Sequence, residues 1–401
     1  MMFSHLLKPI WKRKFKNLLL SLEILLAFFV VFGLALMSVR YTQLYHMPTG
    51  FAYENVWSVR MMGVGDAGKK NETATAQNFQ RSLAALPEVE QLAYFNYSPY
   101  SNSTWSSALY IPDSKLRFSI YVMEMTDDGP GVLNMKLLEG RWFSAEDEGK
   151  TERAIVINKK LAMVMFPGKS ALGQVITDSQ PGSKDAQLLR ITGVFEAFRN
   201  KGEFMAPTNF AIMRHSVISS KDRMEFALLK VKSGTSRAFE AKLNQQLKLI
   251  RNDWSYRIAP LTDMRKSKLT EDTIPLMILV VMAAFLLIMV AFGLFGVLWQ
   301  NTTQRIPEIG LRRAVGANSG DIYRQIMTEQ LLLSSIAMLV GLIFLIQLPL
   351  TGVLGEAANW PVFFVACLIS MAVIYGISLL CSLYPAWRAS RLSPTEALHY
   401  E

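Results

Sequence analysis

Gly63, Gly65, Gly68 and Lys69 stand at the spacing of a phosphate-binding loop. The segment 63–70 fits G-x-G-x-x-G and the first seven positions of G-x-x-x-x-G-K-[ST]. Such a loop aims backbone N–H groups at phosphates and uses a final Ser or Thr to hold magnesium. Here the eighth position is Lys70, so that ligand is missing and a glycine-rich turn is the plainer reading. Gly168-Lys169-Ser170 also ends as a P-loop does, but Met163 replaces its first glycine. His5, His46, His215 and His399 are scattered, without H-E-x-x-H spacing and without a nearby cysteine, so no metal site is indicated. The chain has no G-x-S-x-G elbow, and Asp127 and Asp128 precede Gly129-Pro130 in what reads as a solvated turn. No catalytic, cofactor-binding or metal-binding residue is expected on this chain.

The remaining polar motif suits docking rather than catalysis. Between two apolar runs lie Arg305, Glu308, Ile309, Gly310, Leu311, Arg312, Arg313, Ala314, Gly316 and Ala317. Pro307 can open a helix because its missing N–H is not needed there, and Glu308 complements the positive helix end. Gly316 and Asn318 then supply a break before Asp321 caps the next helix. The expected product is a short helix with exposed charges of both signs and apolar Ile309 and Leu311. Four arginines alone would allow contact with anionic lipid, but the ordered mixture fits protein docking better. Glu23 lies inside the first apolar run, about 10 Å along a helix from Lys16, so its carboxylate is expected to reach headgroup level. Gly293, Gly296, Ser334, Ser335 and Gly341 could let membrane helices approach closely.

These motifs must be positioned by a chain of 401 residues that is 51% hydrophobic and has a mean hydropathy of +0.22. That balance implies division between membrane and water. The net charge of +10 falls largely beside apolar runs, which favours a membrane protein over a nucleic-acid binder. Runs at 18–39, 274–299, 331–350 and 362–383 are each about 20 residues or more, enough to span a bilayer. The first continues too far for a cleaved signal peptide. Arginine and lysine are concentrated before the first run, in 300–330 and after the last run, and are absent from 351–361. Both termini and the 300–330 loop are therefore expected to be cytoplasmic, with 40–273 outside. Cys367 and Cys381 both lie in the last run, so the outside domain must fold without a disulfide. Its sequence reads as mixed α/β, with strand, helix, strand patterns at 53–97 and again at 224–260, around a β-rich stretch at 134–213.

The loop Glu308-Ile-Gly-Leu-Arg-Arg-Ala-Val-Gly-Ala317 resembles the signature after the second helix of MacB/FtsX-like ABC permeases. The tail, with Pro385, Arg388, Ala389, Pro394, Glu396, Ala397 and Leu398, resembles the C-terminal signature of that family. Leu138-Glu-Gly140-Arg141-Trp-Phe143, Ile157-Asn158, Leu172-Gly173 and Ile191-Thr-Gly193-Val194 are similar to its periplasmic core.

The resemblance implies four transmembrane helices with a periplasmic domain between helices 1 and 2. That domain would have a Porter-like part, about 45–130 with 215–268, and a Sabre-like part, about 131–214. It also implies mechanotransmission in the bacterial inner membrane: the 305–317 segment seats in an ABC ATPase, and work is done by the periplasmic domain. ATP and Mg would belong to the ATPase, two copies of which would serve a homodimer or a heterodimer with a related permease, with a periplasmic adaptor as a further partner. About 17 residues precede the first run, so the ATPase is expected on a separate chain. An FtsX-like regulator of cell-wall hydrolases is an alternative within the family, though that branch usually has a smaller outside domain. A membrane-anchored sensor or scaffold is the alternative outside it. Nucleic acid is not an expected partner.

Overall fold

The computed structural model describes residues 14–63, 72–112, 114, 116–180, 183, 186–216 and 225–391. Residues 64–70 of the glycine-rich segment, with His5, His399, Pro394, Glu396, Ala397 and Leu398, lie outside the described residues. The chain divides into two compact units, Met1–Gln43 with Thr273–Glu401, and Leu44–Asp272.

Among the described residues, four helices are long and apolar enough to cross a membrane. They belong to α1 (Lys14–His46), α6 (Leu261–Thr303), α8 (Ser319–Leu345, continued by the short α9 at Gln347–Thr351) and α10 (Trp360–Arg391). In the first unit Leu20, Ile24, Phe28 and Phe32 of α1 pack with Leu294, Met338, Phe363 and Ile374 from the other three helices. Gly341 makes this possible, since a Cβ there would lie 2.8 Å from the Phe28 ring. Ser334 and Ser378 share a hydrogen bond of 2.8 Å, and Ser335 bonds the Tyr375 hydroxyl at 2.7 Å, which pairs their polar groups away from lipid. Glu23 is half-buried on the face of α1 that meets α6. Its carboxylate lies against Gly293 of α6, where an added Cβ would be 2.2 Å from Oε1, because the missing side chain leaves room for it.

The helices outrun their apolar segments. The span expected at 274–299 is part of a helix that starts at Leu261 and runs for 43 residues, about 64 Å and twice a 30 Å hydrocarbon core. Residues 261–273 are mostly polar and mix the helix formers Leu, Met, Arg, Lys and Glu with Thr, Asp and Ser, and Lys268 pairs with Asp272 one turn on at 2.9 Å. Hydropathy marks the membrane portion of such a helix and cannot see the rest. Pro275 lies inside it, where it removes one backbone hydrogen bond.

In the second unit, β1 (Val56–Met62), α2 (Glu72–Ala84) and β2 (Val89–Phe95) form one strand, helix, strand unit. The other is β10 (Phe226–Val231), α5 (Ala238–Ile250) and β11 (Ser255–Pro260). Their antiparallel order β11-β1-β10-β2 is the ferredoxin-like interleaving of two such units. The remaining strands include β3 (Trp105–Tyr110), β4 (Arg117–Met125), β6 (Arg153–Asn158), β7 (Val175–Thr177), β8 (Leu188–Phe195) and β9 (Phe210–Arg214). The pairings β4–β3, β3–β7, β7–β8, β8–β6, β6–β9 and β9–β4 return to their start and close a ring. Between β4 and β6 come a short helix α3 (Gly129–Val132) and β5 (Leu137–Gly140), which pairs with β8; α4 (Lys159–Met165) follows β6.

The boundary expected near residue 130 falls in α3, and β4 pairs with β2 on one side as well as with ring strands on the other. β3 and β4 complete the ring with β6–β9, and do not stand with the first lobe alone. The period-2 alternation of strands explains why. Leu229 and Val231 of β10 face α2 and α5, while Phe226 and Leu228 face a central cluster. Ile155 and Ile157 of β6 face the ring core, while Ala154 and Val156 face the same central cluster. Met123 and Met125 of β4 join that cluster, whereas Ile120 and Val122 join the ring core. Both lobes therefore close on one shared layer of apolar side chains.

Candidate coupling site and the joint at the helix ends

In the first unit, α7 (Ile306–Ala314) lies between α6 and α8. Pro307 falls in its first turn with Glu308 beside it. Gly316 ends the helix at φ +105°, a backbone conformation costly for other residues, with its N–H donating to Arg313 O at 3.1 Å and the N–H of Ala317 donating to Arg312 O at 3.0 Å. The cap of α8 differs from expectation. Asn318 is the N-cap, and Asp321 is the third helical residue, whose carboxylate accepts the Asn318 N–H in a capping box.

One face of α7 is fixed to its own chain. Ile309 is buried with Ile322 and Ile326 of α8 and with Ala386 and Ala389 of α10. Arg313 donates to Ser390 O at 3.2 Å, so the two cytoplasmic-type signatures of the sequence pack on each other. Arg305 pairs with Glu329, which also accepts from Gln325 at 2.9 Å. Ile309, expected at the docking surface, spends its side chain on this internal packing, and Gly310 is buried too.

The opposite face is open. Leu311 is 61% exposed and Val315, one turn later, 84%. They border a groove of about 390 Å³ with Arg312, Asp321, Ile322 and Gln325. Arg312 bonds Glu308 at 2.7 Å and Gln325 at 2.6 Å, so the exposed charges are internally paired and hold a fixed orientation. Sequence reasoning missed Val315 and Gln325. The i, i+4 spacing of Leu311 and Val315 was the available signal. Ala314 and Ala317 supply small surface here, and Pro385, Arg388 and Ala389 line a separate pocket with Trp299.

The second unit contains the ends of α1 and α6, and a loop at 198–205 holds both. Arg199, 1% exposed, donates from Nη2 to Leu44 O at 2.9 Å and from Nη1 to Met47 O at 2.8 Å. Its Nε donates to Met205 O at 2.8 Å, and Nη2 also reaches Glu203 O. The guanidinium thus satisfies carbonyls at the C-terminal end of α1, where positive charge is favoured. Glu203 turns its carboxylate to Arg265 in the first turns of α6, and Arg265 lies 4.7 Å over the Tyr53 ring. Lys268 and Glu271 of α6 bond Asn102 at 3.0 and 3.1 Å. The sequence did not single out Arg199 or Glu203, since neither lies in a recognisable motif.

The quoted motif residues of the second unit brace the ring. Asn158 caps α4 by accepting Leu161 N–H, accepts Phe210 N–H, and donates to Thr208 O at 2.8 Å. Arg141 grips Asp147 through two bonds of 2.7 and 2.6 Å, holding that carboxyl well below the usual carboxylate range, with Lys150 assisting.

The MacB-like periplasmic core domain family model matches residues 24–246, and the FtsX-like permease C-terminal model matches 280–394. The chain is 25% identical over 270 residues to the macrolide export ATP-binding/permease protein MacB of Chlorobium luteolum, covering 65% of this chain and 40% of that one. It is 25% identical to the pyoverdine export ATP-binding/permease protein PvdT of Pseudomonas aeruginosa, covering 79% and 46%. Identity to the ABC transporter permease YknZ of Bacillus subtilis is also 25%, covering 69% of each. The chain thus spans less than half the length of the first two relatives. A crystal structure of the periplasmic region of MacB from Actinobacillus actinomycetemcomitans aligns with 13% identity and a TM-score of 0.39, over 56% of this chain and 97% of that one. With the MacB-like periplasmic core model matched over more than half of the chain and the FtsX-like permease model matched after it, the chain belongs to the FtsX-like ABC transporter permeases that carry a MacB-like periplasmic core domain.

Proposed function

We propose that this permease converts ATP hydrolysis by an ABC ATPase, absent from these 401 residues, into movement of its periplasmic domain. The movement serves efflux or extraction of a substrate on the outer side of a bacterial inner membrane. The observation that carries the reading is the division of α7 into two faces. Ile309 and Arg313 fix it to α8 and α10, while Leu311 and Val315 stand exposed beside a groove. A helix locked on one side and open on the other can pass a push from a docked partner into the membrane helices without absorbing it.

In this reading both termini and α7 are cytoplasmic, consistent with the arginines of 305–324. ATP and Mg reside on the ATPase, and two copies of it serve a pair of permeases. Relatives named for macrolide and pyoverdine export support the export of a substrate. Within the periplasmic unit, Arg199 bonds the end of α1 and Glu203 the start of α6.

The test is affinity purification of the tagged chain from its native membranes in mild detergent, with mass spectrometry and an ATPase assay of the eluate. An associated P-loop ATPase is expected. Leu311→Asp with Val315→Asp, and separately Glu308→Lys, should release it or abolish its stimulation while the permease remains in the membrane. Truncating an apolar contact at the centre of an interface costs about 1–2 kcal/mol, roughly tenfold in affinity, and a buried aspartate costs more. An eluate without ATPase in several detergents would reject coupling in favour of a sensor or scaffold.

A further inference from the structure

A ladder of aromatic rings and arginines joins the ends of α6 and α10. Phe295 stacks on Trp299 with centroids 6.1 Å apart, and Trp299 lies parallel to Tyr384 at 5.8 Å and 5°. Tyr384 continues to Trp387 at 6.1 Å. Arg388 places its guanidinium 4.5 Å over Trp299, and Arg391 lies 4.6 Å over Trp387. The rungs are on the surface, with Tyr384 50% and Trp387 46% exposed, and both arginines are exposed. Among the described residues, neither guanidinium pairs with a carboxylate. Arg388, Trp299, Thr302, Thr303 and Pro385 line a pocket of about 60 Å³, room for a phosphate-sized group but not for a ligand buried whole.

A guanidinium held over a ring has five N–H donors in one plane, and those turned away from the ring stay open to a ligand. Those donors suit two parallel bonds to phosphate oxygens, and the ring contact restricts the side chain before any ligand arrives. Trp and Tyr favour the level of the membrane where an apolar body meets a polar tip. The ladder also runs from Phe295 toward the exposed apolar surface of α6 at Phe292. A ligand following it would place acyl chain along α6 and phosphate at the arginines. An acidic protein surface would match the charge but not that apolar continuation.

We propose that Arg388 and Arg391, with Trp299, Tyr384 and Trp387, form a binding site for the phosphodiester headgroup of an anionic phospholipid. By the topology above, the lipid belongs to the inner leaflet. Basic sites between helix ends at this level hold anionic headgroups in just this chemical sense.

The experiment uses the full chain in vesicles of phosphatidylcholine mixed with phosphatidylglycerol, one or the other brominated, and reads quenching of tryptophan fluorescence. It needs no ATPase and no known substrate, so it can fail independently of the coupling reading. The expected result is a quenching component that favours phosphatidylglycerol by about fivefold to thirtyfold, from two cations near the headgroup. The preference should drop to near unity in Arg388→Gln with Arg391→Gln, and to an intermediate value in Arg391→Gln alone, whose exposed side chain can change without opening a cavity. Trp299→Phe and Trp387→Phe should remove the responding signal. Equal quenching by the two lipids in the unaltered chain, or a preference that survives the double substitution, overturns the proposal. Loss of the preference on adding millimolar glycerol phosphate would assign the site to a free phosphate ester and also overturn it.

Discussion

Replacing Arg199 by Gln tests whether the 198–205 loop holds the end of α1. The guanidinium makes short bonds to the carbonyls of Leu44, Met47 and Met205 and a further one to Glu203 O, all in a site that is 1% exposed. Hydrogen bonds from a charged donor contribute about 1.5–3 kcal/mol each, but they share one side chain and do not add. Leaving a buried neutral acceptor without its donor costs about 1–3 kcal/mol. Glutamine can replace one or two of the bonds, so about 3 kcal/mol is the expected loss in local stability. At 1.4 kcal/mol per factor of ten, that is roughly a hundredfold rise in the population of the open joint. Hydrogen exchange of the full chain in nanodiscs reads it directly. Amides at 44–47 and 199–205 should exchange about a hundredfold faster, while those of β10, in the sheet core, should not change. Arg199→Lys should fall between, since an ammonium cannot reach three carbonyls in a plane. Less than a tenfold change at 44–47 would refute the claim that this side chain secures the helix end.

Ile309→Ala should destabilise the packing of α7 on α8 and α10 by about 2–4 kcal/mol, whereas Leu311→Ala should leave it unchanged; hydrogen exchange over 306–317 separates the two. Gly316→Ala, forced to φ +105°, should cost about 1–2 kcal/mol and fray the end of α7 in the same measurement. For Asp147, the folded carboxyl is held below its unfolded value by Arg141, so its stabilisation is present above about pH 4 and is lost as pH falls through the lowered folded value. Asp147→Asn should therefore speed exchange in 141–150 at neutral pH, and the difference from the unaltered chain should shrink on acidification below about pH 4. Gly293→Leu should displace Glu23 and loosen α1 against α6, measured as a lower melting temperature in detergent, and Glu23→Ala should recover part of the loss.

Local signals located most of the elements. The apolar runs marked four membrane helices because about 20 such residues in a row have few other stable environments. The strand, helix, strand patterns at 53–97 and 224–260 correspond to the two interleaved units, since each strand alternates with period two and each helix carries one apolar face. Pro307, Gly316 and Asn318 delimit α7 and α8 through backbone chemistry that is itself local.

What sequence could not specify is which of two similar side chains faces which neighbour. Ile309 and Leu311 are two apolar residues in one short helix, and only the packing of α8 and α10 buries the first and exposes the second. β3 and β4 read as part of the first lobe, yet their ladders with β7 and β9 close a ring, because strand pairing depends on partners more than 50 residues away. Arg199 carries no motif, for its ligands are backbone carbonyls, which every residue has, and only the fold brings those at 44 and 47 to it. Composition and spacing thus determined which segments cross the membrane, turn or pair, since those preferences act over a few residues. The docking face and the joint were decided by tertiary structure, because each is a relation between surfaces that the chain itself keeps apart.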